Sequence, residues 1–125
     1  MPGNNEEFKR QLKYRAFKFA KDVIKLVDGF PQKISAKIIA NQLLRAATSI
    51  GANIIESQAA SSRRDFINFL NHALKSGNET KFWLALTLDI SPAQKSEIDA
   101  LLKEADELTK ILGASIATLR GKKLI

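Results

Sequence analysis

No cysteine occurs among the 125 residues, and His72 is the one histidine. The first absence removes a disulfide framework, a thiolate metal site and a cysteine nucleophile together, and it fits a reducing compartment. The second leaves a zinc or iron centre short of ligands and gives a serine or threonine nucleophile a single imidazole as its base. A di-iron bundle needs Glu-x-x-His pairs, but Glu79 is followed at the third position by Phe82 and Glu56 by Ala59. Gly113 and Gly121 lack the context of a phosphate loop. His72, between Asn71 and Ala73, therefore reads as a structural or surface histidine. Long apolar runs are missing too: none approaches the ~18 residues of a membrane helix, and residues 1–10 are too polar for a signal-peptide core. These absences set the expectation of a cytoplasmic protein without metal, cofactor, membrane contact or enzymatic machinery.

What is present has the composition of a folded domain. Hydrophobic residues make up 45% and charged residues 26%, and residues 1–125 suit one domain with a real core. The net charge of +7 is unevenly placed. Residues 1–64 hold 12 Lys/Arg against 5 Asp/Glu, whereas residues 65–125 hold 8 against 8. All the excess positive charge thus lies in the first half, a distribution suited to a polyanionic partner because phosphate contacts by Lys and Arg release counterions. Solvated lysine-rich helix faces produce the same statistic, so charge alone decides nothing.

Hydrophobic periodicity predicts four helices. Over residues 6–28, Phe8, Leu12, Ala16, Phe19, Val23 and Val27 recur at steps of three and four, with Phe17 and Ile24 widening the stripe. Lys18, Lys21 and Lys25 form a basic ridge on another side. Gly29-Phe30-Pro31 ends the helix, with glycine free to adopt a left-handed cap. Residues 33–60 carry two stripes, Ile39-Leu43-Ala46-Ile50-Ile54 and Leu44-Ala47-Gly51-Ile55, so this second helix asks for cover on more than one side. Small residues at Ala46, Ala47, Ser49, Gly51 and Ala52 permit close approach of a neighbour. Ser62 is placed to cap a third helix, with Asp65 imitating the carboxylate of a capping box. That helix runs to residue 89 with Phe66, Leu70, Ala73, Gly77, Thr80, Leu84 and Leu88 on one face and Phe69, Phe82 and Trp83 off it.

Ser91-Pro92, with Gln94 completing the box, starts the fourth helix. Ile98, Leu101, Ala105, Leu108, Leu112, Ser115 and Leu119 alternate steps of three and four there, opposite an acidic face of Glu97, Asp99, Glu104, Asp106 and Glu107. Gly121-Lys122-Lys123 closes it. Short connections force antiparallel neighbours, so the fold class is all-α, an antiparallel up-down-up-down four-helix bundle.

Polar residues interrupt the apolar faces. Ser49, Asn53 and Glu56 form a line on the second helix, and Ser76 and Glu79 do so on the third. A carboxylate facing an apolar bundle must be paired or hydrogen-bonded. Asn53, Glu56 and Glu79 are therefore expected to fix helix register or bridge subunits, with Arg45 as counter-ion.

The run Leu44-Arg45-Ala46-Ala47-Thr48-Ser49-Ile50-Gly51-Ala52-Asn53-Ile54-Ile55-Glu56 resembles the signature of the 23S rRNA intervening-sequence proteins. That family continues with a basic, serine-rich turn, an Asp/Glu-Phe pair and a Ser-x-x-Glu motif, matched here by Ser61-Ser62-Arg63-Arg64, Asp65-Phe66 and Ser76 with Glu79. Ser57 stands where the family usually has glycine. The family is similar in turn to the nucleic-acid-binding accessory proteins of diversity-generating retroelements, which partner a reverse transcriptase. The resemblance implies a four-helix bundle assembling as a barrel-like homopentamer, and supplies no activity.

Two functions follow as expectations. The first is a non-enzymatic oligomer that binds RNA or other nucleic acid through Lys13, Lys18, Lys21, Lys25, Arg63, Arg64, Lys122 and Lys123. Sequence preference should be weak, since no aromatic-rich single-strand platform is evident. The second is a protein-interaction scaffold, partnering a polymerase or a ribosomal component.

Overall fold

The structure, a computed structural model, describes residues 5–121, with the side chain of residue 5 left aside. Four α-helices span it: α1 (Asn5–Asp28), α2 (Ile34–Gln58), α3 (Arg63–Ile90) and α4 (Lys95–Leu119), with a 3-10 turn at Pro92–Gln94 ahead of α4. At a rise of ~1.5 Å per residue each α-helix is about 36–42 Å long. α1 packs on α2 and α4, and α3 packs on the same two, so α1 and α3 are diagonal partners. Among the described residues the protein is an all-α four-helix bundle with no strand.

The apolar stripes meet along its axis. Leu12, Ala16, Phe19 and Val23 of α1 join Leu43, Ala47, Ile50 and Ile54 of α2 in one cluster. Leu70, Ala73 and Leu84 of α3 and Ile98, Leu101, Ala105, Leu108, Leu112 and Ile116 of α4 complete it. Polar residues within the core satisfy themselves on the helix backbone: the Thr80, Thr87 and Ser57 hydroxyls donate to the carbonyls of Ser76, Leu84 and Ile54 at 2.6–2.7 Å. No buried side-chain N or O among the described residues lacks a partner, as a uniquely packed core requires.

Glycine sets two close approaches. A Cβ on Gly77 would lie 2.6 Å from the Thr109 methyl, so α3 and α4 meet there only because the side chain is missing. A Cβ on Gly29 would lie 2.6 Å from Nε2 of Gln94. Gly29 does not adopt the left-handed conformation expected of it; its N–H closes on the Leu26 carbonyl at 3.0 Å, and its service is to admit the Gln94 amide, which donates to that same carbonyl at 3.2 Å. Among the described residues Gly121 is the glycine with positive φ, +70°, just past α4.

The helix starts differ from expectation in chemistry more than in place. Ser62 caps α3 as predicted, its Oγ accepting the Asp65 N–H at 3.1 Å. The Asp65 carboxylate, however, takes the Ser61 hydroxyl at 3.2 Å rather than closing a box on Ser62. Ser91 does not cap a backbone N–H: its hydroxyl donates to Oε1 of Gln94 at 2.6 Å, and the 3-10 turn intervenes before α4. Phe17 and Ile24, expected to widen the buried stripe of α1, stay 60% and 45% exposed.

Candidate functional surfaces

Two surfaces of opposite character emerge. The first is a polar seam between α2 and α3. Ser76 donates its hydroxyl to Ser49 Oγ at 3.0 Å, tying the helices midway. Asn53 Nδ2 donates to that same Oγ at 3.0 Å and to the Ser49 carbonyl at 2.9 Å. One turn away, Arg45 pairs with Glu79, and Trp83 donates its indole N–H to Glu79 Oε2 at 2.9 Å. Gln42 Oε1 accepts a further Arg45 bond at 3.0 Å. Trp83 and Arg45 together hold the Glu79 carboxyl below the usual carboxylate range, against a desolvation that pushes it up. Glu56 does not join: it is exposed, and no ion pair or hydrogen bond reaches its carboxylate from the described residues. Beyond the seam, Ile34, Ile38 and Phe82 are exposed, Phe82 setting its ring against Trp83 edge-on at 5.0 Å.

The second surface is the outward face of α1. Lys13, Lys21 and Lys25 are exposed and have no described carboxylate within 4.0 Å. Tyr14 and Phe17 stand among them, 62% and 60% exposed, and the Lys21 ammonium lies 5.5 Å from the Phe17 ring centroid. Lys33 and Lys37, at the start of α2, are likewise exposed and without such a partner. The acidic face of α4, by contrast, is largely consumed by pairing. Arg15 clasps Glu104 through two hydrogen bonds of 2.9 and 2.7 Å and lies 3.9 Å from Glu107. Asp106 takes Lys110 at 3.0 Å and Lys81 at 3.4 Å, which holds its carboxyl below the usual range, and Asp99 takes Lys95 at 2.5 Å.

The family model for the 23S rRNA-intervening sequence protein matches residues 9–114. The chain belongs to that family. A solved structure of a protein of unknown function from the S23 ribosomal protein family of Bacteroides thetaiotaomicron is 34% identical to it. The likeness covers 86% of this chain and 96% of that one with a TM-score of 0.78. No curated protein matches. The family motif from Leu44 through Glu79 thus runs along the α2–α3 seam, where Ser49, Asn53 and Ser76 form one hydrogen-bonded set and Arg45 and Glu79 belong to another, with Glu56 outside both.

The cations named from sequence are not brought together as a group. Lys13, Lys21 and Lys25 share the α1 face, but Lys18 turns aside to Asp22 at 2.8 Å, which raises its pKa. Arg63 donates to the Leu119 carbonyl at the end of α4, and Arg64 stands exposed beside it at the start of α3, on the helix diagonal to α1. Lys122 and Lys123 lie outside the described residues. Lys33 and Lys37 were missed, although their place just after the Gly29-Phe30-Pro31 break put them beside the Lys25 end of α1. His72 is exposed, its ring edge-on to Phe69 at 6.5 Å. No three of the described His, Cys, Asp and Glu residues gather as metal ligands, and no described helix is long and apolar enough to cross a membrane. A cavity of about 360 Å³ opens at the bundle end near Phe8, Lys9, Ile54, Arg63, Phe66 and Leu119; its walls carry no carboxylate or imidazole.

Proposed function

We propose that the protein is a non-enzymatic, self-assembling bundle that binds RNA electrostatically through the outer face of α1 and the adjoining start of α2. The observation that carries this reading is the set of unpaired cations, Lys13, Lys21, Lys25, Lys33 and Lys37, on a chain whose acidic residues are mostly engaged elsewhere. Unpaired ammonium groups are free to replace phosphate counterions, whereas Lys18 and Arg15 would first have to leave a carboxylate. The family name, with its 23S rRNA context, supports RNA as the anion. Self-assembly is supported by the α2 and α3 helices, where Ile38 at 55% and Phe82 at 57% exposure accompany a seam whose Arg45–Glu79 charges are internally neutralised. One chain cannot cover these side chains; copies packed side by side, as in a pentamer, can.

Titrating a labelled structured RNA with the protein at several salt concentrations tests the reading. Three to five phosphate contacts per chain predict a slope of log affinity on log salt of about −2 to −4. Absence of binding to structured RNA and to duplex DNA at ~50 mM salt would falsify it. The same exposed apolar residues support a second reading, a scaffold for a protein partner such as a polymerase or a ribosomal component. A partner that co-purifies and survives nuclease treatment would favour the scaffold.

A further inference from the structure

The α1 face holds more than charge. Tyr14 and Phe17, three residues apart, occupy neighbouring positions on one helical surface, with Cβ atoms ~5–6 Å apart by helical geometry. They are the two most exposed aromatic side chains, at 62% and 60%, and neither ring contacts another ring. Lys13, Lys21 and Lys25 surround them over ~18 Å of helix, and Lys21 already sits over the Phe17 ring at 5.5 Å, a cation–π contact that orients its ammonium beside the π-face. Aromatic faces interleaved with unpaired cations match the two halves of a nucleotide: an apolar, polarisable base and an anionic phosphate. A duplex presents only the phosphates, since its bases are stacked on each other.

Resting on the RNA-binding reading above, we infer that this face is a single-strand site: unpaired bases stack on Tyr14 and Phe17 while Lys13, Lys21 and Lys25 hold the flanking phosphates. The inference departs from the expectation of no aromatic-rich platform, because two aromatic residues three apart offer one only where the helix leaves them uncovered. Stacking is tolerant of base identity, so the site reads single-strandedness rather than sequence.

The test compares a 12-nucleotide oligo(U) with a blunt RNA duplex of equal length, for the full chain and for Tyr14→Ala/Phe17→Ala. Both side chains are exposed, so the variant should keep the wild-type circular dichroism and melting temperature. The expected result is that the wild type prefers oligo(U), and that the variant loses about tenfold or more on oligo(U) with little change on the duplex or in salt slope. A second readout uses Tyr14, the one tyrosine, whose emission should be quenched by oligo(U) in a Trp83→Phe background. A variant that binds oligo(U) as the wild type does, while Lys21→Glu/Lys25→Glu does not, would overturn stacking and leave the phosphate contacts standing. A variant with altered mass in light scattering but unaltered RNA affinity would assign the rings to a second copy instead. Wild-type protein that binds neither RNA would end both readings.

Discussion

Glu79 shows how a single carboxylate can be made structural. It accepts from Trp83 on its own helix and pairs with Arg45 across the seam, and both interactions favour its ionised form. Because its pKa is lowered on folding, the stabilisation is fully present above the ordinary glutamate pKa of ~4.3 and is lost as pH falls through the lower folded value. Glu79→Gln should therefore melt below the wild type at pH 7, and the gap should narrow as the pH is taken toward 3. Thermal melts of the two proteins across that range check this, and a gap independent of pH would assign the loss to hydrogen-bond geometry rather than charge. Arg15 offers a contrasting case: its two-point clasp of Glu104 is half-exposed, so Arg15→Ala should cost about 0.5–1 kcal/mol, measurable as a denaturant midpoint shift.

Between α3 and α4 the decisive contact is an absence. The Thr109 methyl fills the space a Gly77 side chain would take, and Thr109 Oγ1 is held by the Asp106 carbonyl at 2.9 Å and the Lys81 ammonium at 3.1 Å. The methyl cannot swing away without losing those bonds. Gly77→Ala should destabilise by about 1–3 kcal/mol despite alanine's better helix propensity, and Thr109→Ser, which deletes the methyl and keeps the hydroxyl, should recover most of it. Equilibrium unfolding of the single and double variants decides the matter. The element boundaries were legible because periodicity and punctuation are local. The stripes of α1 and α4 named their core residues, and Ser62 announced its own cap. What failed depended on partners in other elements. Gly29 was read from its own backbone freedom, yet it is glycine because of Gln94, 65 positions on. The Arg15–Glu104 clasp and the solvent-facing turn of Glu56 require the rotation of each helix against its neighbours, which a list of polar positions does not contain.

For the molecule as a whole, the proposal assigns the two surfaces different work. The α2–α3 seam pairs its own charges, has exposed Ile38 and Phe82 beyond it and carries the family motif; the α1 side is cationic and aromatic. An assembly that buries the first would array the second around its outside and multiply the charge of each chain. Light scattering should return a multiple of the 13.9 kDa chain mass, five times for a pentamer, and Ile38→Glu/Phe82→Glu should reduce it to the monomer. A wild-type monomer at micromolar concentration would contradict self-assembly and leave the α1 face acting alone. That a basic surface exists was legible in the excess charge of residues 1–64. Which cations form it was not, because Lys18 and Arg63 are spent on partners that only folding supplies. The most direct measurement is the affinity for a structured RNA at ~50 mM salt of the wild type and of Lys13→Glu/Lys21→Glu/Lys25→Glu, with matched folding and mass. The account predicts that reversing these three charges abolishes measurable binding; an unchanged affinity would contradict it.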